Sequence, residues 1–228
     1  MTMEGDPYML IEGMTIAGLA VGATLGYVYI RSEYPHSVAV MNEAVARATD
    51  AGYLGDSVCG SGRAFHMHIR KAAGSYVCGE ETAMLDSIEG KRGIVRAKPP
   101  LPAIAGLFGQ PTVINNVITF ASVPLILARG AQFYRDYGMG RSQGTLPFQL
   151  AGNIKYGGLV EKAFGITLRE LLYDFGGGSR SANFGMAALA ELDALGILEH
   201  VDAISAVSGG SIPTALFALD GDQPGWAE

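Results

Sequence analysis

The densest run of residues able to do chemistry is Gly79-Glu80-Glu81-Thr82-Ala83, preceded by Ala73-Gly74-Ser75-Tyr76-Val77-Cys78. The sequence predicts Val77 and Cys78 as the end of a short buried strand, Gly79 as a tight turn, and Glu80 to Leu85 as the first turns of a helix. A helix N-terminus above a strand end offers unpaired N–H groups to a ligand. The carboxylates of Glu80 and Glu81 can accept hydrogen bonds from ligand hydroxyls or a carboxamide. Two acids in a first helical turn also need no ligand at all, since the macrodipole favours each by about 0.3–1 kcal/mol.

Further candidates lie downstream. Asn115 and Asn116 open a helix that their side chains can cap. Phe108 is flanked by glycines in Gly106-Leu107-Phe108-Gly109, and as a bare residue it reads as core. Arg92, Arg96 and Lys98, in the proline-rich stretch from Lys91 to Pro102, form either a solvated loop or a seat for a dinucleotide phosphate. His66 and His68 alternate on one strand face near Cys59, yet no third or fourth ligand has metal-site spacing, so no metal is expected.

Four motifs follow one another in a fixed order: Gly79-Glu80-Glu81-Thr82-Ala83, Ile88-Glu89-Gly90-Lys91-Arg92, Lys98-Pro99-Pro100-Leu101-Pro102, and Pro111-Thr112-Val113-Ile114-Asn115-Asn116-Val117. From near residue 1 to about residue 177 the chain resembles the FMN- and NADH-binding subunit of respiratory complex I and the related β subunit of NAD-dependent formate dehydrogenase. The resemblance implies hydride transfer between NAD(H) and FMN, with electrons passed singly to iron–sulfur centres and to partner subunits. It places Tyr76, Gly79, Glu80, Glu81, Asn115, Asn116 and Thr119 against FMN, and Glu81 with Phe108 nearest NADH. The family's glycine-rich phosphate loop is expected ahead of residue 1 and its four cluster cysteines beyond the resemblance, so the chain alone should bind FMN weakly or not at all. Cys59 and Cys78, the two cysteines, cannot hold a 4Fe-4S cluster, which needs four ligands.

The elements that must position these residues read as α/β. Tyr8 to about Thr24 is a helix, Tyr27 to Ile30 a strand, and Pro35 to about Ala51 a helix with Val38, Met41, Ala44, Val45 and Ala48 on one face. The uncharged run from Gly13 to Ile30, with Gly18, Gly22 and Gly26 at membrane-helix spacing, is better read as a buried helix followed by a buried strand. Ala64 to Ile69 alternates as a strand. Gly138 to Gly144 is a linker by composition. Then come two strands, Leu146 to Ile154 and Gly157 to Glu161, and a helix opened by a Thr167/Glu170 capping box. The fold class expected is an incomplete Rossmann-like flavin domain (1–140), then half of a β-grasp domain (145–177), then a short α/β segment (178–228).

That last segment changes character. The glycine-rich turn from Gly176, a helix from Phe184 to Leu195, and Val201 to Val207 leading to Ser208 are similar to the start of a patatin-like serine acyl hydrolase. Ser208 would be its nucleophile, although Ala206 departs from G-x-S-x-G and Asp220 is too near to serve as base. The alternatives are thus an acyl hydrolase or an inactive chimeric remnant joined near Gly176.

At 228 residues with 49% hydrophobic content the chain has material for a sizeable core. A net charge of −6 argues against a nucleic-acid partner. An acidic opening is unlike a signal peptide, and two cysteines outside any disulfide framework suit a reducing cytoplasm.

Overall fold

The computed structural model describes residues 2–152 and 154–176. The fold is mixed α/β, and the chain divides into two compact units, 1–131 and 132–228.

The first unit opens with α1 (Thr2–Gly5) and α2 (Pro7–Val21). Asp6 caps α2 by accepting from the Met9 N–H, Pro7 sits at its first position, and Gly22 ends it in the left-handed conformation. The apolar run that follows turns into β1 (Leu25–Ile30), whose Val28 and Ile30 are buried. The run is therefore a helix and a strand in succession. Helix α3 (Pro35–Asp50) buries Met41, Ala44 and Ala48 and crosses to β2 (His66–Lys71). Strands β1 and β2 pair in parallel, Leu25 opposite His66 through Ile30 opposite Lys71, so β1-α3-β2 is a parallel crossover unit. β2 begins two residues later than the sequence predicts, because the Phe65 backbone pairs instead with Gly55 while its ring enters the core.

No strand forms at Val77 and Cys78. Tyr76–Gly79 is a single 3-10 turn closed by Cys78 N–H to Ser75 O and Glu80 N–H to Val77 O, and only Cys78 of it is buried. Those i→i+3 bonds take up backbone groups that a strand would pair with a neighbour, and the segment bends from the sheet to α4 (Glu81–Ile88).

A short α5 (Pro102–Ala105) interrupts the proline-rich loop, and α6 (Val117–Arg129) packs on α2. That packing is close because Gly13 lacks a side chain: a methyl there would sit 1.8 Å from the Phe120 carbonyl oxygen. Pro124, inside α6, has no N–H to offer that carbonyl, which turns toward the gap left by Gly13. The core gathers Leu10, Ile11, Val28, Ile30, Met41 and Phe65.

After α7 (Ala131–Arg135), Gly138 to Gly144 is not a plain linker. It folds as a minimal hairpin, β3 (Gly138–Met139) against β4 (Ser142–Gln143), turned at Gly140 and Arg141 with Gly140 at positive φ. Strands β5 (Thr145–Leu150) and β6 (Gly158–Ala163) pair antiparallel, and the Thr167/Glu170 capping box starts α8 (Leu168–Glu170). The acyl-hydrolase-like stretch with Ser208 lies outside the described residues.

Candidate functional site

Glu80 stands one place before α4 rather than inside it. Its Oε2 accepts from the Thr82 N–H (2.9 Å), the Ala83 N–H (2.9 Å) and the Thr82 hydroxyl (2.6 Å), so one oxygen caps the helix. Those bonds, the Thr82 hydroxyl first, hold the Glu80 carboxyl below the usual range. Lys98 Nζ lies 3.5 Å from the other oxygen and pairs closely with Glu81. The ledge therefore keeps a net negative charge, two carboxylates against one ammonium, and Lys98 is engaged by acids rather than free for a phosphate.

The same correction applies to Arg96. Its guanidinium donates to Asp86 through Nε (2.9 Å) and Nη2 (2.5 Å), to Glu89 (3.1 Å) and to the Gly106 carbonyl (3.1 Å). The Glu89 side chain, 4% exposed, also accepts from Lys91 (2.6 Å) and from the Phe108 N–H (2.8 Å). The Lys91 ammonium, ahead of the Phe108 N–H and Arg96, holds the Glu89 carboxyl at about 2 against burial. The basic loop is thus tied down by the acids of α4, because the chain turns back along that helix.

Above these elements lies a cavity of about 760 Å³. Its walls are the Leu10 to Val21 stretch of α2, β1, Phe65, Met84, Leu85 and Ile88 of α4, and the loop from Leu107 to Val117. Glycines shape it: a methyl at Gly18 or Gly26 would fall 2.4 Å or 2.8 Å from the Phe65 ring. The spacing that resembles a membrane-helix motif instead makes room for an aromatic side chain. Among the described residues no helix is long and apolar enough to cross a membrane.

Of the residues predicted to form the site, Phe108 and Asn115 line this cavity. Phe108 is 61% exposed and stands at φ +51°, a left-handed conformation costing roughly 1–2 kcal/mol outside glycine. Asn116 caps α6 through its Oδ1 and the Ile118 N–H (2.9 Å), as its position predicts, and exposed Thr119 follows on that helix. Asn115 donates to the Ile114 carbonyl (2.7 Å). Tyr76, Gly79, Glu80 and Glu81 stand together at the start of α4, outside the cavity wall, with Tyr76 87% exposed. Helix α4 joins the two groups: Glu80 and Glu81 mark its N-terminus, and Met84, Leu85 and Ile88 reach the cavity. The i, i+4 spacing of Met84 and Ile88 is the sequence signal for those wall residues.

The predicted same-face histidines separate in role. His66 Nε2 lies 3.2 Å from Asp56, and His68 tilts against Tyr27 with ring centroids 5.5 Å apart.

Residues 1–125, more than half of the chain, match the Nuo51 FMN-binding domain family. The chain belongs to that family. It is 51% identical over 176 residues to a component of the NADH-quinone oxidoreductase of Rhizobium meliloti, covering 77% of this chain and 42% of the relative. It is 47% identical over 176 residues to the HndC component of the NADP-reducing hydrogenase of Solidesulfovibrio fructosivorans, covering 77% and 36%. A crystal structure of an NAD+-reducing [NiFe]-hydrogenase in the H2-reduced state superposes with a TM-score of 0.68 at 34% identity, over 75% of this chain and 28% of that one. This family member thus spans about two fifths of the length of the curated relatives it matches.

Proposed function

We propose that the chain is part of an NADH-oxidising flavoprotein subunit, and that its cavity seats the ring system of FMN. One observation carries the reading. The segment matching an FMN-binding family encloses a cavity with largely apolar walls and an asparagine amide, Asn115, at its edge. Such a surface suits a flat heterocycle that needs dispersion contact and one or two directed hydrogen bonds. In this reading Asn115 meets the ring at the cavity. Tyr76, Gly79, Glu80 and Glu81 at the start of α4, and Asn116 and Thr119 at the start of α6, contact the parts of FMN that lie outside the cavity wall, and Glu81 with Phe108 faces NADH. No basic side chain is among the described residues lining the cavity. The described cavity wall therefore offers a seat for the ring and no cation for the phosphate.

When bound, FMN supplies hydride acceptance from NADH and one-electron delivery to iron–sulfur centres. The chain's residues bind and orient: Asn115 offers an amide, the cavity walls exclude water, and Phe108 offers an aromatic face. The partners proposed are other subunits of a complex I-, hydrogenase- or formate dehydrogenase-like assembly, in the cytoplasm. Residues 1–140 would be a Rossmann-like flavin domain, 145–177 half of a β-grasp domain, and 178–228 an acyl-hydrolase-like segment.

The test is a titration of the chain with riboflavin and with FMN, followed by flavin fluorescence. Weak saturable quenching is expected, with the two affinities within about threefold of each other because no charge pair reads the phosphate. Absence of quenching by either flavin counts against the seat.

A further inference from the structure

The parallel sheet of the first unit has an edge that opens into a groove. The His66 N–H donates to Thr24 O (2.9 Å) and the Ala72 N–H to Ile30 O (2.7 Å), so the even-numbered residues of β1 turn their backbone groups toward β2. The N–H and C=O groups of Leu25, Tyr27 and Tyr29 therefore point the other way, and among the described residues nothing bonds to them. Every residue from Thr24 to Tyr29 lines the cavity. Alternate side chains of a strand point to opposite faces, so only a groove running along the edge can touch all of them.

Helices form the two banks of this groove. Met14 of α2 lies over one face of β1, 3.3 Å from where a methyl on Gly26 would be, and Ser87 of α4 lies 2.8 Å from the Tyr29 hydroxyl on the other. Val21 of α2 and Leu85 and Ile88 of α4 extend the apolar banks. Strand β1 has no charged residue, whereas β2, at the other edge of the sheet, carries Arg70 and Lys71. Charge blunts an edge that is to stay in water, and β1 lacks it. Backbone donors and acceptors between apolar banks are costly to leave without partners.

We propose that the open edge of β1 is a docking groove for an extended segment of another polypeptide, which adds a strand through the N–H and C=O groups of Leu25, Tyr27 and Tyr29. The segment is about six residues long, to match β1. It is uncharged and apolar at consecutive rather than alternate positions, because α2 and α4 cover both of its faces. A second copy cannot supply its own β1, which is recessed between the same two banks. The proposal goes beyond the flavin reading, which uses Phe108 and Asn115 of the same cavity.

The experiment follows amide hydrogen exchange by NMR in the full 228-residue chain. The probe is a synthetic peptide, Val-Ile-Val-Val-Ile-Val flanked by lysine pairs for solubility. In the free chain the amides of Leu25, Tyr27 and Tyr29 should exchange faster than those of Gly26, Val28 and Ile30, which bond to β2. The probe at about ten times its Kd should slow the first three about tenfold. A matched peptide with aspartate at alternate positions should leave them unchanged. Three results overturn the proposal: slow exchange at these amides before any peptide is added, which means that the chain fills its own groove; no slowing by the apolar probe; or equal slowing by the aspartate peptide. Riboflavin keeps the two readings apart. Slowing of the same amides by riboflavin alone gives the groove to the flavin and refutes the strand, whereas slowing by the probe without flavin quenching refutes the flavin seat and keeps the strand.

Discussion

Replacing Gly13 by alanine should destabilise the chain, although alanine is by itself the better helix former. The new methyl would lie 1.8 Å from the Phe120 oxygen and 2.7 Å from its carbon, both main-chain atoms of α6. Carbon–oxygen contacts settle near 3.3–3.6 Å, so the two helices must part by about 1.5 Å. Neither a rotamer change nor a flexible side chain can absorb this, because backbone is what gives way. Pro124 stiffens the same place, its Cδ only 3.3 Å from the added methyl. Overpacking costs about 1–3 kcal/mol, and a backbone obstacle puts this site at the upper end. The gain from Gly to Ala in a helix interior returns about 1 kcal/mol. The net loss is then about 2 kcal/mol, or about 4–8 °C in Tm for a chain of this size. Thermal melts by far-UV circular dichroism measure it. Gly5→Ala, whose methyl meets nothing within 4 Å, is the control and should be neutral or slightly stabilising. A Gly13→Ala chain melting at or above the unsubstituted one would refute the claim that backbone contact sets the spacing of α2 and α6.

Three more outcomes follow from the same geometry. Glu80→Ala removes the cap of α4 with its three accepted hydrogen bonds, so urea denaturation should show a loss of about 1–2 kcal/mol; an unchanged midpoint would mean the cap is redundant. Phe65→Ala should cost about 3–5 kcal/mol, because the ring is 2% exposed and fills the space left by Gly18 and Gly26. A loss below about 1 kcal/mol in the same urea assay would show that the ring is not a core element. Glu89 has its carboxyl lowered from 4.5 to about 2 in the folded chain. Its contribution is therefore complete above the unfolded value and is lost as pH falls from about 4.5 toward 2. Acid titration should show weakening stability across that window, and Glu89→Gln should flatten it; equal slopes in the two proteins would reject the assignment.

Local order is legible in the sequence wherever one residue type has one local use. Asn116 caps α6, and Thr167 with Glu170 boxes α8. Each is a contact within a few residues, so no knowledge of the fold is needed. The parallel β1-α3-β2 unit is legible too, because an apolar strand and a one-faced helix leave few other packings. Val77 and Cys78 read as strand from sequence because two adjacent apolar residues suit a buried strand, whereas the 3-10 turn they form buries only Cys78.

What the tertiary structure alone decides is where charge and space fall. Nothing in the spacing of Asp86, Glu89, Arg96 and Lys98 says which acid meets which base; the return of the loop along α4 pairs Arg96 with Asp86 and Glu89, and Lys98 with Glu81. The role of Gly13, Gly18 and Gly26 is likewise hidden, because a missing side chain has meaning only against the residue that occupies its place, Phe120 or Phe65 in this chain. Caps and periodicities are interactions between near neighbours and can be read along the chain. These ion pairs and close approaches join residues from seven to more than a hundred positions apart, and their partners are chosen only when the elements pack.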